Sequence, residues 1–183
     1  VVSGNVSLYN ESSDRPVSPT PLVGMVGLLE DVARRCPAGF AAEGDLVLLL
    51  GGDDRADLGG SEYLVVMHGV AAGTPPPLAL AREAAVQAWC RRFSADGLAR
   101  SAHDCCDGGL AGALAESCIL GGLGARIDGP VKAGRRDAWL FHEGPSRIVL
   151  SVPPANYRLV ADLAAACGVP LQRLGVVDGE RLV

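Results

Sequence analysis

The sequence predicts an α+β fold, and three observations carry that prediction. Strand-like and helix-like stretches alternate from about residue 43 onward, the pattern of a layered α/β domain. Residues 46–50 are an uninterrupted apolar run, which implies a strand covered on both faces. With 49% hydrophobic and 20% charged residues among 183, the chain has apolar material for a core and charge for solubility.

Each element follows from local pattern. Residues 6–8 and 21–29 read as strands, the second an apolar run in which Gly24 and Gly27 permit another backbone to come close. Residues 30–35 read as a short helical turn stopped by Pro37. Residues 38–44 read as a linker, dividing the chain into an N-terminal part, 1–42, and a second domain, 43–183. After the strand at 46–50 comes a Gly- and Asp-rich loop, 51–60, and Ser61 with Glu62 starts a short helix running to His68. Pro75-Pro76-Pro77 precedes a helix over 78–93, whose apolar positions Leu80, Ala84, Val86, Ala88 and Trp89 roughly follow helical spacing. A strand at 99–102, a helix at 109–120, a strand at 125–127, a short helix or extended piece at 137–141 and a strand at 147–152 come next. Pro154 opens a helix that Gly168 ends, and 174–177 closes the set as a strand.

Charge and cysteine usage exclude several functions. The formal net charge is −5, and the basic pairs Arg34-Arg35, Arg91-Arg92 and Arg135-Arg136 are scattered, unlike the clustered stripe that a nucleic-acid backbone requires. No apolar run is long enough to span a bilayer. The N-terminus also lacks the charged and then apolar pattern of a secretory signal, so the expected location is the cytoplasm. Cys36, Cys90, Cys118 and Cys167 stand singly in apolar, helix-like stretches, where a free thiol behaves as a small hydrophobe, and read as reduced core residues. Cys105-Cys106 lack the spacing and the histidines of a zinc site. His68 and His142 have no Ser, Cys or paired carboxylate near them in sequence and read as structural.

Three segments are candidate sites. In Ser3-Gly4-Asn5-Val6-Ser7, Gly4 allows close approach to a phosphate. Asn5 offers a neutral oxygen to a hard cation such as Mg²⁺, and Ser7 shares a strand face with Asn5. A plain Gly-Asn turn before a strand explains the same residues. The second segment, His103-Asp104-Cys105-Cys106-Asp107-Gly108-Gly109, joins a strand to a helix whose free amides would attract phosphate. Asp104 and Asp107 would repel that phosphate unless a cation bridged them. Asp107 as an N-cap needs no ligand at all, and the structural reading leads. In the third, Gly59-Gly60-Ser61-Glu62, Ser61 as N-cap is the simplest account.

Read together, in order and spacing, the opening segment, residues 18–32, 43–51, 58–64 and 101–111 resemble the C-terminal half of the phosphoribosylformylglycinamidine synthase family. These are the glutamine-dependent formylglycinamide ribonucleotide amidotransferases of purine biosynthesis, within the aminoimidazole ribonucleotide synthetase-like superfamily. The resemblance extends through Trp139-Leu140-Phe141-His142-Glu143 and Ser146-Arg147-Ile148-Val149-Leu150-Ser151-Val152. It implies a fragment of a longer polypeptide with tandem N-type and C-type domains, in keeping with a chain that starts at Val1 and ends at Val183 without a cap or turn. Residues 1–42 would be the remnant of the second N-type domain, which binds ATP and substrate, and 43–183 the second C-type domain, truncated at its end.

The resemblance also implies roles. Gly4 would lie at ATP, Asn5 at Mg²⁺ and Ser7 at formylglycinamide ribonucleotide, with the catalytic histidines upstream of residue 1 and no catalytic residue in this chain. Many relatives have Gly where Ser3 stands, and Cys106 replaces a usual serine, weakening a ligand role there. The second C-type domain would belong to a degenerate site sometimes associated with an auxiliary nucleotide, for which Asp104, Asp107, Gly108 and Gly109 are the candidates. The implied reaction is phosphorylation of the substrate's amide oxygen by ATP and displacement of that phosphate by ammonia, supplied by a glutaminase subunit or domain. The isolated chain is expected to be inactive. A scaffold or auxiliary-nucleotide module of that enzyme, or an enzyme like aminoimidazole ribonucleotide synthetase, are the alternatives.

Overall fold

Leu46–Gly51 form β3, the middle strand of a five-stranded sheet in the order β4-β6-β3-β7-β5. The computed structural model describes residues 1–12, 15–52, 57–129 and 135–183, and the chain divides into two units, Val1–Glu30 and Asp31–Val183. In the second unit β4 is Ser101–Asp104, β5 Ala125–Ile127, β6 Arg147–Val152 and β7 Leu171–Val177. Every pairing in the sheet is antiparallel. The helices are α1 (Glu62–His68), α2 (Leu80–Ala95), α3 (Gly109–Gly121), α4 (Arg136–Phe141) and α5 (Tyr157–Ala166), with short 3-10 helices at Val32–Arg34 and Pro154–Asn156.

The apolar run at 46–50 does what its pattern predicts. Side chains alternate across a strand, so Val47 and Leu49 enter one core cluster with Leu110, Ala113, Leu114 and Trp139 from α3 and α4. Leu48 and Leu50 enter the other with Val86, Trp89, Phe93, Val160 and Ala164 from α2 and α5. Helices therefore cover both faces of an antiparallel sheet. β5, β6, α1 and α3 lie within a residue of their predicted bounds.

Several expectations need correction. β4 starts at Ser101, two residues later than predicted, and Leu80 on α2 is exposed, the buried face being Val86, Trp89 and Phe93. Residues 38–44 are not a free linker. Phe40 is buried, its amide donates to the Ser117 carbonyl, and its backbone lies against Gly121 so closely that a Cβ there would sit 2.1 Å from the Phe40 carbonyl oxygen. Part of the loop predicted over 51–60, residues 53–56, lies outside the described residues. Cys167 is exposed rather than in the core.

In the first unit the strands predicted at 6–8 and 21–29 are absent: neither stretch joins a ladder, Leu8 lies in a bend, and the apolar side chains are exposed. A strand needs a hydrogen-bonded neighbour, and an apolar run alone does not supply one. Instead β1 (Glu11–Ser12) and β2 (Arg15–Pro16) pair antiparallel. Gly24 and Gly27 meet nothing within 4 Å.

One buried charge lies at the start of β3. Asp45 is 2% exposed, its carboxylate 3.3 Å from the half-exposed Arg100 guanidinium. Burial pushes this carboxyl up, and Arg100 only partly offsets that. A carboxyl raised in the folded state opposes folding above its folded pKa, and the penalty is relieved as pH falls through it. Asp45→Asn is therefore expected to raise the urea midpoint at pH 7, with the advantage shrinking toward pH 4; a lower midpoint at pH 7 would show that the Arg100 pair outweighs burial. Gly121→Ala is expected to destabilise by about 1–3 kcal/mol in the same assay, although alanine is the better helix former by about 1 kcal/mol.

Candidate functional site

The strand-to-helix junction before α3 is built by the turn between α4 and β6, residues 142–147. A helix start leaves backbone amides without partners and carries partial positive charge. Here Glu143 Oε1 accepts the amide of Gly108, the cap residue of α3, at 2.8 Å, and the amide of Glu62, the first residue of α1, at 3.0 Å. Arg147, four residues on and buried, works at the opposite kind of helix end. Its guanidinium donates to the carbonyls of His142 and, at 3.5 Å, Trp139, where α4 finishes and negative partial charge accumulates.

The same turn holds the neighbouring loops. The buried His142 ring lies 2.8 Å, through Nδ1, from the Asp57 carbonyl oxygen and 3.3 Å from the Asp57 amide. Ser146, in a left-handed conformation at φ 60°, accepts the Gly52 amide through its carbonyl at 2.8 Å, and its hydroxyl donates to Glu83. Hydrogen bonds from Ser146 and Gln87 hold the Glu83 carboxyl below its ordinary value. Tyr63 of α1 stacks on Phe141 with ring centres 4.7 Å apart.

Within the junction the predicted residues take distinct places. The cap position is Gly108, at φ 77°, and no side chain caps the helix there, so Asp107 is not the N-cap. A left-handed cap residue is a glycine's place, and it displaces the aspartate by one position. Gly109 is also left-handed, at φ 61°, and a Cβ on it would sit 2.6 Å from the His142 carbonyl oxygen; the glycine pair is thus accounted for by packing against the 142–147 turn. The Asp104 and Asp107 side chains face solvent. His103 places Nε2 3.0 Å from Glu116 Oε2 on α3 and Nδ1 2.8 Å from the Asp104 carbonyl oxygen, tying β4 to α3. Burial pushes the Cys105 thiol up to about 12. Ser61 occupies the N-cap position of α1, but its hydroxyl donates back to the Leu58 carbonyl at 2.7 Å.

The first segment is different. Gly4, Asn5 and Ser7 are exposed, nothing lies within 4 Å of a Cβ built on Gly4, and the Ser7 hydroxyl donates to the Tyr9 carbonyl at 2.8 Å. Among the described residues no three His, Cys, Asp or Glu side chains are grouped to hold a metal, and no helix is long and apolar enough to cross a membrane. The spacing-based reading missed Glu143 and Arg147 as organising residues. The available signal was a Glu-Gly-Pro-Ser-Arg run between a helix and a strand, two opposite charges in a tight turn inside an apolar setting.

Residues 42–183 match the family model described as AIR synthase related protein, C-terminal domain. The chain belongs to that family. It is 51% identical over 183 residues to phosphoribosylformylglycinamidine synthase subunit PurL of Moorella thermoacetica and 50% identical over 194 aligned positions to the protein of the same name from Anaeromyxobacter dehalogenans. Both alignments cover 100% of this chain and 25% of the relative. The chain therefore spans about a quarter of the length of these curated relatives. Among solved structures it is similar to PurL of Thermotoga maritima complexed with FGAR, at TM-score 0.67 and 18% identity over 83% of this chain and 27% of that one. The same protein complexed with ATP gives TM-score 0.63 and 18% identity over 83% and 25%. At this identity the structural likeness establishes the AIR synthase-related fold.

The bridging carboxylate has a measurable consequence. Glu143→Ala is expected to speed hydrogen exchange at the amides of Glu62 and Gly108 while leaving β3 unchanged, and to cost about 1–3 kcal/mol. Glu143→Gln, whose side-chain oxygen still accepts, should recover part of both. Unaltered exchange at the two amides in the alanine variant would refute the bridge.

Proposed function

We propose that this chain is part of the synthetase component that converts formylglycinamide ribonucleotide, glutamine and ATP to formylglycinamidine ribonucleotide, an ATP-dependent C–N ligase of purine biosynthesis. The observation that carries the reading is identity of about one half along the whole chain to relatives named for that activity. In this reading residues 1–42 belong to an N-type domain that binds ATP and substrate and 43–183 to a C-type domain. The ammonia comes from a glutaminase subunit or domain, and the enzyme works in the cytoplasm.

Gly4, Asn5 and Ser7 fit contributory roles. The space beside Gly4 is uncovered, so a phosphate can come close to its backbone. Asn5 supplies one neutral oxygen, which suits one ligand of a Mg²⁺ whose remaining ligands are water, phosphate and carboxylates from elsewhere. Ser7 provides a hydroxyl for the ribonucleotide. When bound, Mg²⁺ offsets the charge that builds up during phosphoryl transfer. In this reading the chain's own residues bind and orient, and the 183-residue piece alone is expected to show no turnover. For Asp104, Asp107, Gly108 and Gly109 a scaffold role is favoured by a specific observation: the Gly108 amide already has an acceptor in Glu143.

Asn5→Ala in the full-length polypeptide, assayed with ammonia as nitrogen source, is expected to lower kcat about 100-fold and to raise the Mg²⁺ concentration needed, with an unchanged melting temperature. Unchanged kinetics with a lower melting temperature would overturn the metal role. Titration calorimetry with Mg²⁺-ADP on Asp104→Ala tests the second domain: binding that this substitution abolishes would replace the scaffold reading with an auxiliary nucleotide site.

A further inference from the structure

A cavity of about 220 Å³ lies between α2 and α5, lined by Ala88, Trp89, Arg92 and Phe93 of α2, Leu163 of α5 and Cys167 at the end of α5. Helical period explains the grouping: 88 and 92, 89 and 93, and 163 and 167 are each about one turn apart, so each pair shares a helix face. Ala88 and Cys167 are the shortest side chains of the six, and the space is what they leave unfilled. Trp89 and Phe93 are buried with ring centres 4.6 Å apart, Leu163 is half-buried, and Arg92 and Cys167 are exposed. The cavity therefore has an aromatic and aliphatic floor with a cation and a thiol at its mouth. Two donors on the α2 side are poorly matched. The Trp89 indole N–H is buried and has no hydrogen-bond partner, an uncommon condition for a buried donor. Arg92, three residues on and on the same face, meets Asp96 through Nε at 3.5 Å, with both side chains at least half exposed; a pair of that kind is weak and readily shared.

We propose that this cavity binds a small aromatic carboxylate, one six-membered ring with the acid on a short arm, its ring on Trp89, Phe93 and Leu163 and its carboxylate at Arg92. Size selects the ring: an apolar cavity of about 150 Å³ takes up benzene, and 220 Å³ adds room for the arm. The floor selects an aromatic, since two indole and phenyl rings offer stacked and edge-to-face contacts. Charge selects the acid, because a guanidinium fork matches a carboxylate and a ligand oxygen is the acceptor that the α2 wall lacks. Trp89, Phe93 and Leu163 belong to the core cluster on the sheet face away from α3, so the ligand does not compete with Glu143 or with the phosphate candidates beside it. Bound at the mouth, it covers Cys167.

The test is the rate at which iodoacetamide alkylates Cys167 in the native full-length polypeptide, followed by peptide mapping, with phenylacetate as the probe. The other exposed thiol, Cys106, is the internal control. Phenylacetate is expected to protect Cys167 with half-effect at about 1 mM, the range of a ligand of some ten heavy atoms, and to slow its alkylation about tenfold at ten times that concentration, leaving Cys106 unchanged. Phenylacetamide, the uncharged analogue, should protect about threefold less well, and Arg92→Gln should erase that difference between acid and amide. Ala88→Phe, a change at an exposed helix position that fills the cavity, should abolish protection with little change in melting temperature. The proposal falls if Cys167 does not alkylate without ligand, if phenylacetate leaves its rate unchanged or slows Cys106 equally, or if protection persists in Ala88→Phe. Equal protection by acid and amide in the unsubstituted protein would overturn the carboxylate assignment.

Discussion

The contact of Glu143 Oε1 with the amides of Gly108 and Glu62 is the interaction on which the loop end of the sheet depends. Two helix starts bring positive partial charge to one place, an arrangement that is unfavourable unless an anion lies between them. The chain supplies that anion from a turn that Arg147 fixes to the end of α4. α1 shows how much rests on this. It has no buried residue, and Val66 and Met67 are exposed on it. Its placement therefore comes from Glu143, from Tyr63 against Phe141 and from the Ser61 hydroxyl, not from an apolar face in the core.

The turn can reach that position only because the opposing backbone has no side chain in the way. Gly109 meets the His142 carbonyl where a Cβ would stand, and its left-handed φ excludes most other residues. Packing and electrostatics thus impose the same choice on the glycine pair: the close approach that brings Glu143 to the amide also requires the glycine. The alternating cores beneath are robust by comparison, since β3 is covered by helices on both faces.

What was legible in the sequence was whatever depends on local period. The apolar strand 46–50, the start of α1 at Glu62, the helix from Gly109 and the strands at 125–127 and 147–152 were readable because burial of alternate or helically spaced residues leaves its mark along the chain. Leu80 and the strand at 99–102 went astray because element ends and exposed helix starts carry little apolar signal. The strands expected at 6–8 and 21–29 failed for a different reason: hydrophobicity measures a wish for burial, and a ladder needs a partner that local pattern does not name. In the candidate site, the glycines and Asp104 and Asp107 were visible, but Glu143 lies 35 residues from Gly108 and 81 from Glu62. No short-range spacing could reveal such a pairing, and so the cap was assigned to the nearest acid, Asp107.

The two candidate regions differ in what an incoming phosphate would have to overcome. At the start of α3 it meets an amide already engaged by a carboxylate, with Asp104 and Asp107 adding like charge nearby, so binding there requires either displacement of Glu143 or a bridging cation. At Gly4 the backbone is open, and the neighbouring Asn5 brings a neutral oxygen rather than a competing charge. A single unmade hydrogen bond to a charged acceptor is worth about 1.5–3 kcal/mol, roughly a factor of 10 to 150 in affinity. That penalty falls on the glycine pair at the helix start and not on the exposed opening segment. Under the proposed function, the opening segment is therefore the better candidate of the two for a ligand, and the junction before α3, with Glu143 already on its amide, the better candidate for holding the fold.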